Sequence, residues 1–129
     1  GFNKDVTVRD IMSTYPYPNT LVVLEVNREI LKLALERSAS YLNNDNGNIT
    51  ISESFLKPKV EHYNYDYFAN IEYTFDLNNE IGNRVISIKY NGKELQDNKA
   101  LTLVMNNYRA SGAGGYEFYE NCPVVKEIL

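Results

Sequence analysis

The chain contains 129 residues, of which 43% are hydrophobic and 23% charged, and its formal net charge at pH 7 is −4. That length predicts one domain around one core, and a mildly acidic chain without a polybasic stretch is a poor partner for duplex nucleic acid. The sequence shows neither an apolar run of about 20 residues nor a signal-peptide pattern, so we expect it to make no membrane contact.

The first predicted element is a short helix over residues 6–12, because its apolar residues recur at helical spacing behind the candidate N-cap Asp5. Two prolines in the loop 13–20 restrict the backbone on both sides of Tyr17, so this ring is expected to be held between two rigid units. The apolar, β-rich run Leu21–Val26 then predicts a buried strand.

A strongly periodic segment predicts a helix from Asn27 through Leu42. Apolar and small residues recur on one side of it, and most of its charged residues are expected on a solvated outer face. The inner face is expected to contain Ile30, Leu31, Ala34, Leu35, Ser38 and Leu42, and the outer face Lys32, Glu36 and Arg37.

Beyond this helix the sequence predicts short strands separated by turns. Residues 55–68 show no clear period, whereas Asn91-Gly92 marks a tight hairpin turn. Helix and strand intermix, which predicts a single α+β domain with a mainly antiparallel or mixed sheet covered by helices. The predicted elements are a polar turn-forming loop at 43–48, strands at 49–51, 71–75, 85–90 and 101–105, and a strand or a helical turn at 123–129.

The loop after the last buried strand has the composition of a binding site. Tyr108 stands at the strand exit, and Gly112, Gly114 and Gly115 permit a positive φ or a close approach of the backbone to a ligand. An aromatic ring placed in this way offers a flat face on which a nucleobase or a sugar can stack. Half-buried packing of Tyr108 and Tyr116 within the loop is the alternative that the sequence leaves open.

The sequence lacks the known phosphate-loop, zinc, calcium and nucleophile-elbow motifs. Ser111 would need His62 as its base, and we expect that histidine to be a surface or hydrogen-bonded structural residue. Asp66 and Asp76 could act as a pair of carboxylates, but aspartates in such positions usually cap backbone amides. Cys122, the one cysteine, excludes an internal disulfide and is expected to be a small buried residue. We therefore predict that this chain contains no catalytic residue and no metal site, and that its role is binding.

Several motifs occur together in a fixed order. They are Tyr15-Pro16-Tyr17-Pro18-Asn19-Thr20-Leu21, Leu35-Glu36-Arg37-Ser38-Ala39, Asn64-Tyr65-Asp66, Asn91-Gly92-Lys93 and Asn106-Asn107-Tyr108-Arg109-Ala110-Ser111-Gly112. In order and spacing this set resembles the C-terminal domain of the bacterial 5′-nucleotidase family, most closely its 2′,3′-cyclic-nucleotide 2′-phosphodiesterase/3′-nucleotidase branch. The resemblance covers nearly the whole chain, from Asp5 to about Tyr116.

The resemblance implies that residues 1–129 form the nucleoside-binding C-terminal domain of an extracellular, cell-wall or periplasmic phosphoesterase. Hydrolysis in such an enzyme belongs to an N-terminal metallophosphoesterase domain that is absent from this chain and carries two divalent metal ions. The chain by itself is therefore expected to be inactive and to hold no cofactor. Its expected partners are a nucleotide or nucleoside ligand and that N-terminal domain.

The family's two base-stacking aromatics fall on Tyr17 and Tyr108. Asn19 lies beside the first, where its amide could hydrogen-bond the base or ribose or could form a turn. The 5′-nucleotidase branch has an aspartate at the position of Gly114, and its loss puts 5′-specific ribose recognition in doubt. The family's glycine loop, in which the backbone approaches the sugar, falls on Gly112, Gly114 and Gly115.

Arg109 and Arg84 are the cationic candidates for a phosphate contact, although Arg84, at the start of a strand, is expected to pair with a carboxylate. Within the family, the alternative function is that of a 5′-nucleotidase or nucleotide-sugar hydrolase. From other classes, the alternatives are a non-enzymatic binding module and a structural domain that only orients its neighbour.

Overall fold

The computed structural model describes residues 11–14 and 20–128 of the chain, and the side chains of 20–128. Three short 3₁₀ helices, at Glu53–Phe55, His62–Asn64 and Glu117–Asn121, accompany the main elements. No helix in this described part is long and apolar enough to cross a membrane. The main elements are β1 (Ile11–Thr14), β2 (Leu21–Val26), α1 (Arg28–Ala39), β3 (Leu42–Asp45), β4 (Asn48–Ile51), β5 (Tyr67–Ala69), β6 (Glu72–Phe75), β7 (Val85–Tyr90), β8 (Lys93–Glu94), β9 (Leu101–Asn106), α2 (Asn107–Ala110) and β10 (Val124–Ile128).

The largest unit is a five-stranded mixed sheet with the strand order β10-β2-β9-β1-β5. Its strand β9 runs antiparallel to β2, with Leu21 opposite Asn106, and parallel to β1, with Met12 beside Val104. Consequently the end of β1, the start of β2 and the end of β9 lie at one edge of the sheet. Strand β5 starts at this edge as well, because Tyr67 is opposite Thr14. We call this end of the strands the Asn106 edge.

Helix α1 packs its apolar face into the core and is capped as the sequence predicts. The side chain of Asn27 accepts a hydrogen bond from the backbone N–H of Ile30 at 3.0 Å. Leu31, Ala34 and Leu35 are fully buried and belong to one cluster with apolar residues of β2, β7 and β9. The hydrophobic contacts of α1 therefore join the five-stranded sheet to the smaller sheet that contains β7.

Two smaller antiparallel sheets complete the described structure. One is the hairpin β3–β4, and the other contains β6, β7 and β8 in that order. The Asn91-Gly92 turn between β7 and β8 is confirmed, with φ of 53° and 77°. The polar run 43–48, predicted as a loop, is instead part of the β3–β4 hairpin, whose turn residues Asn46 and Gly47 have φ of 50° and 90°.

The α+β fold class and most of the strands are confirmed. The predicted helix over 6–12 is wrong at Ile11 and Met12, which belong to β1 because β9 and β5 supply backbone partners on both sides; its other residues lie outside the described part. Helix α1 ends at Ala39 rather than Leu42, which begins β3. In the segment 123–129, left open between strand and helical turn, Val124–Ile128 forms β10 along β2.

The outer face of α1 is less solvated than predicted. Glu36 is only 7% exposed, and its carboxylate accepts the backbone N–H groups of Arg84 and Val85 at 2.9 and 3.1 Å. Lys32 donates to the same carboxylate at 3.0 Å. Glu36 thus attaches the start of β7 to α1, which no local pattern in the helix indicates.

Candidate functional site

Tyr108 is presented by α2 at the Asn106 edge, directly after β9, as the sequence predicts. The side chain of Asn106 caps this single turn by accepting the backbone N–H of Arg109 at 2.8 Å. The backbone N–H of Asn107 donates to the carbonyl of Thr20 at 2.8 Å, which ties α2 to the residue before β2. The Tyr108 side chain is half-buried, so part of its surface faces solvent. The side chain is therefore partly accessible, and a helical turn with hydrogen bonds to Asn106 and Thr20 presents it.

Tyr17 and Asn19, the other predicted contacts outside the glycine loop, lie outside the described residues. The described chain on either side of their segment ends at Thr14 and resumes at Thr20. Because β1 and β2 flank β9 on opposite sides, both of these residues lie at the Asn106 edge. Tyr108 follows the last residue of β9, Asn106, at that same edge.

Arg109, next to Tyr108, forms an ion pair with Asp66 in which both side chains are 0% exposed. Its Nε and Nη2 donate to the two carboxylate oxygens at 2.7 and 2.9 Å, a bidentate arrangement. Nη2 also donates to the carbonyl of Tyr63 at 3.1 Å. Nη1 donates to the carbonyl of Ala113 at 2.7 Å and to the Asn64 side chain at 3.4 Å.

All N–H groups of this guanidinium thus have protein acceptors. The expectation that Arg109 is available for a phosphate contact is wrong, because its side chain is buried and saturated. The expectation that the Arg84 side chain pairs with a carboxylate is also wrong. Its guanidinium donates to the backbone carbonyls of Asn79, Ala39 and Leu42, and the nearby carboxylate of Glu36 binds its backbone N–H instead.

The glycine turn 112–115 adopts the backbone that only glycine takes readily, with φ of 92°, 77° and 94° at Gly112, Gly114 and Gly115. A Cβ on Gly114 would collide with the Asn64 side chain and would lie 2.6 Å from Arg109 Nη1. One on Gly115 would lie 2.5 Å from Nε of Arg37, which donates to the Gly114 carbonyl at 2.9 Å. Two arginine side chains therefore pack against the turn, and ligand contact by these glycines remains a prediction.

Tyr116 belongs to the core. It is fully buried, and its hydroxyl donates to the carbonyl of Asn64 at 2.8 Å. Burial raises the pKa of Tyr116, and burial likewise raises the pKa of Tyr119 well above its ordinary value. The ring of Tyr116 stacks on the Arg109 guanidinium, with Cζ 4.1 Å from the ring centroid. Of the two loop tyrosines weighed in the sequence, Tyr116 is internal packing and Tyr108 is partly accessible.

The remaining candidate groups have structural partners. His62 is exposed and its Nδ1 lies 2.9 Å from the Tyr41 hydroxyl, as expected of a hydrogen-bonded surface histidine. Asp76 accepts the backbone N–H of Asn78 at 2.9 Å, and burial raises the pKa of the half-buried Cys122 thiol. Within residues 20–128, no three His, Cys, Asp or Glu side chains are grouped so that they could hold a metal ion.

The residues that sequence reasoning missed are those that hold the turn, namely Asp66, Asn64 and Arg37. Asp66 was expected to cap backbone amides, but its carboxylate binds Arg109. Arg37 was placed on the solvated face of α1, but it binds Gly114 and its guanidinium lies 3.9 Å from the Phe55 ring centroid. The available signal was their presence in the ordered motif set, which marks positions without indicating their contacts.

The comparisons with known proteins agree on one family. A family model described as 5′-nucleotidase, C-terminal domain matches residues 2–121. A structure from Staphylococcus aureus, described as a 5′-nucleotidase in complex with α-ketoglutarate, has a TM-score of 0.85 and 35% identity over 93% of this chain and 28% of its own.

Two curated relatives are more distant in sequence. The 2′,3′-cyclic-nucleotide 2′-phosphodiesterase/3′-nucleotidase of Haemophilus influenzae is 30% identical over 83% of this chain and 18% of its own length. The trifunctional nucleotide phosphoesterase protein YfkN of Bacillus subtilis is 28% identical over 87% of this chain and 8% of its own length. The chain thus spans less than a fifth of either curated relative.

Proposed function

Because the chain belongs to the family of 5′-nucleotidase C-terminal domains, we propose that it is the nucleoside-binding domain of a metal-dependent nucleotide phosphoesterase. In this proposal Tyr17 and Tyr108 stack on the two faces of the nucleobase, and Asn19 and the glycine turn contact the base or ribose. The observation that carries it is the half-buried Tyr108 side chain directly after β9, on a helical turn that contains the buried Arg109 and is hydrogen-bonded to Thr20.

The strand topology supports a pairing of the two tyrosines. Residues 15–19 connect β1 to β2, and these strands flank β9 at the edge where α2 begins. Neighbouring strands lie about 4.8 Å apart, so the connection between β1 and β2 has to cover about 10 Å at the Asn106 edge. The described ends of this connection, Thr14 and Thr20, thus lie on the two sides of β9, whose last residue leads into α2 and Tyr108. A base between two rings would gain about 1–3 kcal/mol per stacking face, whatever its identity.

Hydrolysis in this proposal belongs to an N-terminal metallophosphoesterase domain outside these 129 residues, with two divalent metal ions. The small share of each relative that the chain covers supports such a division. A two-metal site activates water and stabilises the charge that develops on the phosphoryl group. The C-terminal domain then contributes substrate binding, and the parent enzyme is exported to the cell wall, periplasm or medium.

The preferred substrates are 2′,3′-cyclic nucleotides and 3′-nucleotides. The name of the Haemophilus relative supports this choice. The second candidate is a 5′-nucleotidase, which the description of the Staphylococcus structure favours. Turnover of 2′,3′-cyclic AMP, 3′-AMP and 5′-AMP by the full-length enzyme separates the two.

The proposal is tested by Tyr17→Ala and Tyr108→Ala in the full-length enzyme. Loss of about 1–3 kcal/mol of base stacking should raise KM for 3′-AMP by a factor of about 5 to 150, with little change in kcat. Tyr90→Ala is the matched control, because Tyr90 lines a surface cavity with Asn70, which follows the end of β5 opposite the Asn106 edge. Unchanged kcat/KM in both test variants would reject the base-stacking assignment.

The non-enzymatic alternatives make different predictions. A binding module for a protein or glycan needs no metal-ligand motifs upstream of Gly1, so the upstream sequence distinguishes it from an enzyme. A domain that only orients its neighbour predicts no nucleoside-induced NMR shifts at Tyr17 or Tyr108. The base-stacking proposal predicts shifts at both residues on addition of adenosine.

A further inference from the structure

The Arg109–Asp66 ion pair connects three separate parts of the Asn106 edge. Arg109 belongs to α2, its Nη1 holds the Ala113 carbonyl in the glycine turn, and its Nη2 holds the Tyr63 carbonyl ahead of β5. The bidentate contact to Asp66 fixes the plane of the guanidinium, from which these other donors point. One side chain thus sets the relative positions of α2, the turn and the segment that leads into β5.

Arg109 also lies against the proposed stacking residue. Tyr108 precedes it in α2, and the Tyr108 ring centroid is 5.6 Å from Arg109 Cζ, within the range of a cation–π contact. The Tyr108 carbonyl accepts the Ser111 hydroxyl at 2.6 Å, so its backbone is bound to the start of the turn. Since the Arg109 side chain is 0% exposed, any effect it has on a ligand passes through Tyr108 or the turn.

From this geometry we infer that Arg109 and Asp66 are positioning residues for nucleobase binding, which hold Tyr108 in its stacking position without touching the substrate. The inference rests on the proposed function of Tyr108. A lysine at position 109 keeps the charge, but its single ammonium group cannot make the bidentate contact and also reach the Tyr63 and Ala113 carbonyls. An asparagine at position 66 keeps the shape of the side chain and removes its charge.

The test uses Arg109→Lys, Asp66→Asn and the double variant in the full-length enzyme, with Tyr108→Ala as the reference. Kinetics are measured on 3′-AMP and on glycerol 2-phosphate, a phosphate monoester without a base. Each single variant should raise KM for 3′-AMP about tenfold, leave kcat within about twofold, and leave kcat/KM for glycerol 2-phosphate unchanged. The double variant should lose no more than the larger single effect, because both changes break one pair.

Arg84→Lys is the matched control. Arg84 is also a buried arginine that donates to backbone carbonyls, but it lies at the start of β7 and binds Asn79, Ala39 and Leu42. A purely structural loss should therefore appear in this control as well as in Arg109→Lys. Thermal unfolding of every variant accompanies the kinetics, and the charge-free double variant Asp66→Leu with Arg109→Met, which leaves neither charge buried alone, carries the test if the single variants do not fold.

The outcomes separate the two proposals. If Tyr108→Ala leaves KM for 3′-AMP unchanged, the proposed function fails, and this inference fails with it. If Tyr108→Ala raises KM but Arg109→Lys and Asp66→Asn do not, only the positioning role is overturned. An equal loss on glycerol 2-phosphate, or the same KM change in Arg84→Lys, would also overturn it. A rise in KM confined to 3′-AMP and to the Arg109 and Asp66 variants supports it.

Discussion

Removal of the Asp66 carboxylate should strongly destabilise the domain. In Asp66→Ala the Arg109 guanidinium, which is 0% exposed, stays buried without a counter-ion. Breaking one partner of such a pair costs about 3–5 kcal/mol, a large part of the roughly 5–15 kcal/mol that stabilises a typical domain. With an m value of about 1.5 kcal/mol/M for urea, the unfolding midpoint should fall by about 2–3 M.

The measurement is urea unfolding of the 129-residue chain, followed by far-UV circular dichroism. Asp76→Ala is the matched control, because that carboxylate accepts the Asn78 backbone N–H and should contribute only about 1 kcal/mol. The double variant Asp66→Leu with Arg109→Met removes both charges, so it should be more stable than Asp66→Ala. If Asp66→Ala unfolds at the same urea concentration as Asp76→Ala, the account of an obligatory buried pair is wrong.

Two further predictions concern the turn and the buried tyrosines. Gly114→Ala should lose about 1–3 kcal/mol more stability in urea unfolding than Gly47→Ala. Both glycines have positive φ, but a Cβ at position 114 would meet Arg109, whereas one at position 47 would meet nothing. Equal losses would contradict this. Burial raises the pKa of Tyr116 and Tyr119, so above about pH 10 the unfolded chain releases phenolic protons that the folded chain retains. Stability is therefore full below that pH and should fall above it by up to about 1.4 kcal/mol per pH unit for each tyrosine. Tyr116→Phe should reduce this fall of stability with pH, measured as the free energy of unfolding between about pH 9 and 11. An unchanged pH dependence would show that the Tyr116 phenol is not its source.

Strands with strong local signals were predictable, because their side chains and their turns carry the information. The apolar run Leu21–Val26 forms β2 with those bounds, and Asn27 caps α1 as its position indicates. The Asn91-Gly92 turn is likewise local, since both residues tolerate positive φ. The same chemistry at Asn46-Gly47 marked a second hairpin, which the polar character of its flanking residues concealed.

Assignments failed where a distant segment decided the outcome. Ile11 and Met12 have helical spacing, but β9 lies more than ninety positions away in the chain and supplies the backbone partners of a strand. Glu36 has the sequence context of a solvated helix face, yet β7 brings two unpaired backbone N–H groups to it. In both cases the hydrogen bonds of another element outweigh the local preference.

The sequence by itself determined the family, the fold class and the position of Tyr108 directly after a buried strand, because these depend on residue order, periodicity and the end of an apolar run. Only the tertiary structure decided which charges are buried and what they hold. Arg109 and Asp66 are 43 positions apart, and nothing in either local sequence shows that they meet. The fold places both side chains away from water, where each charge needs the other, and so makes Arg109 part of the scaffold rather than a cation that faces a phosphate.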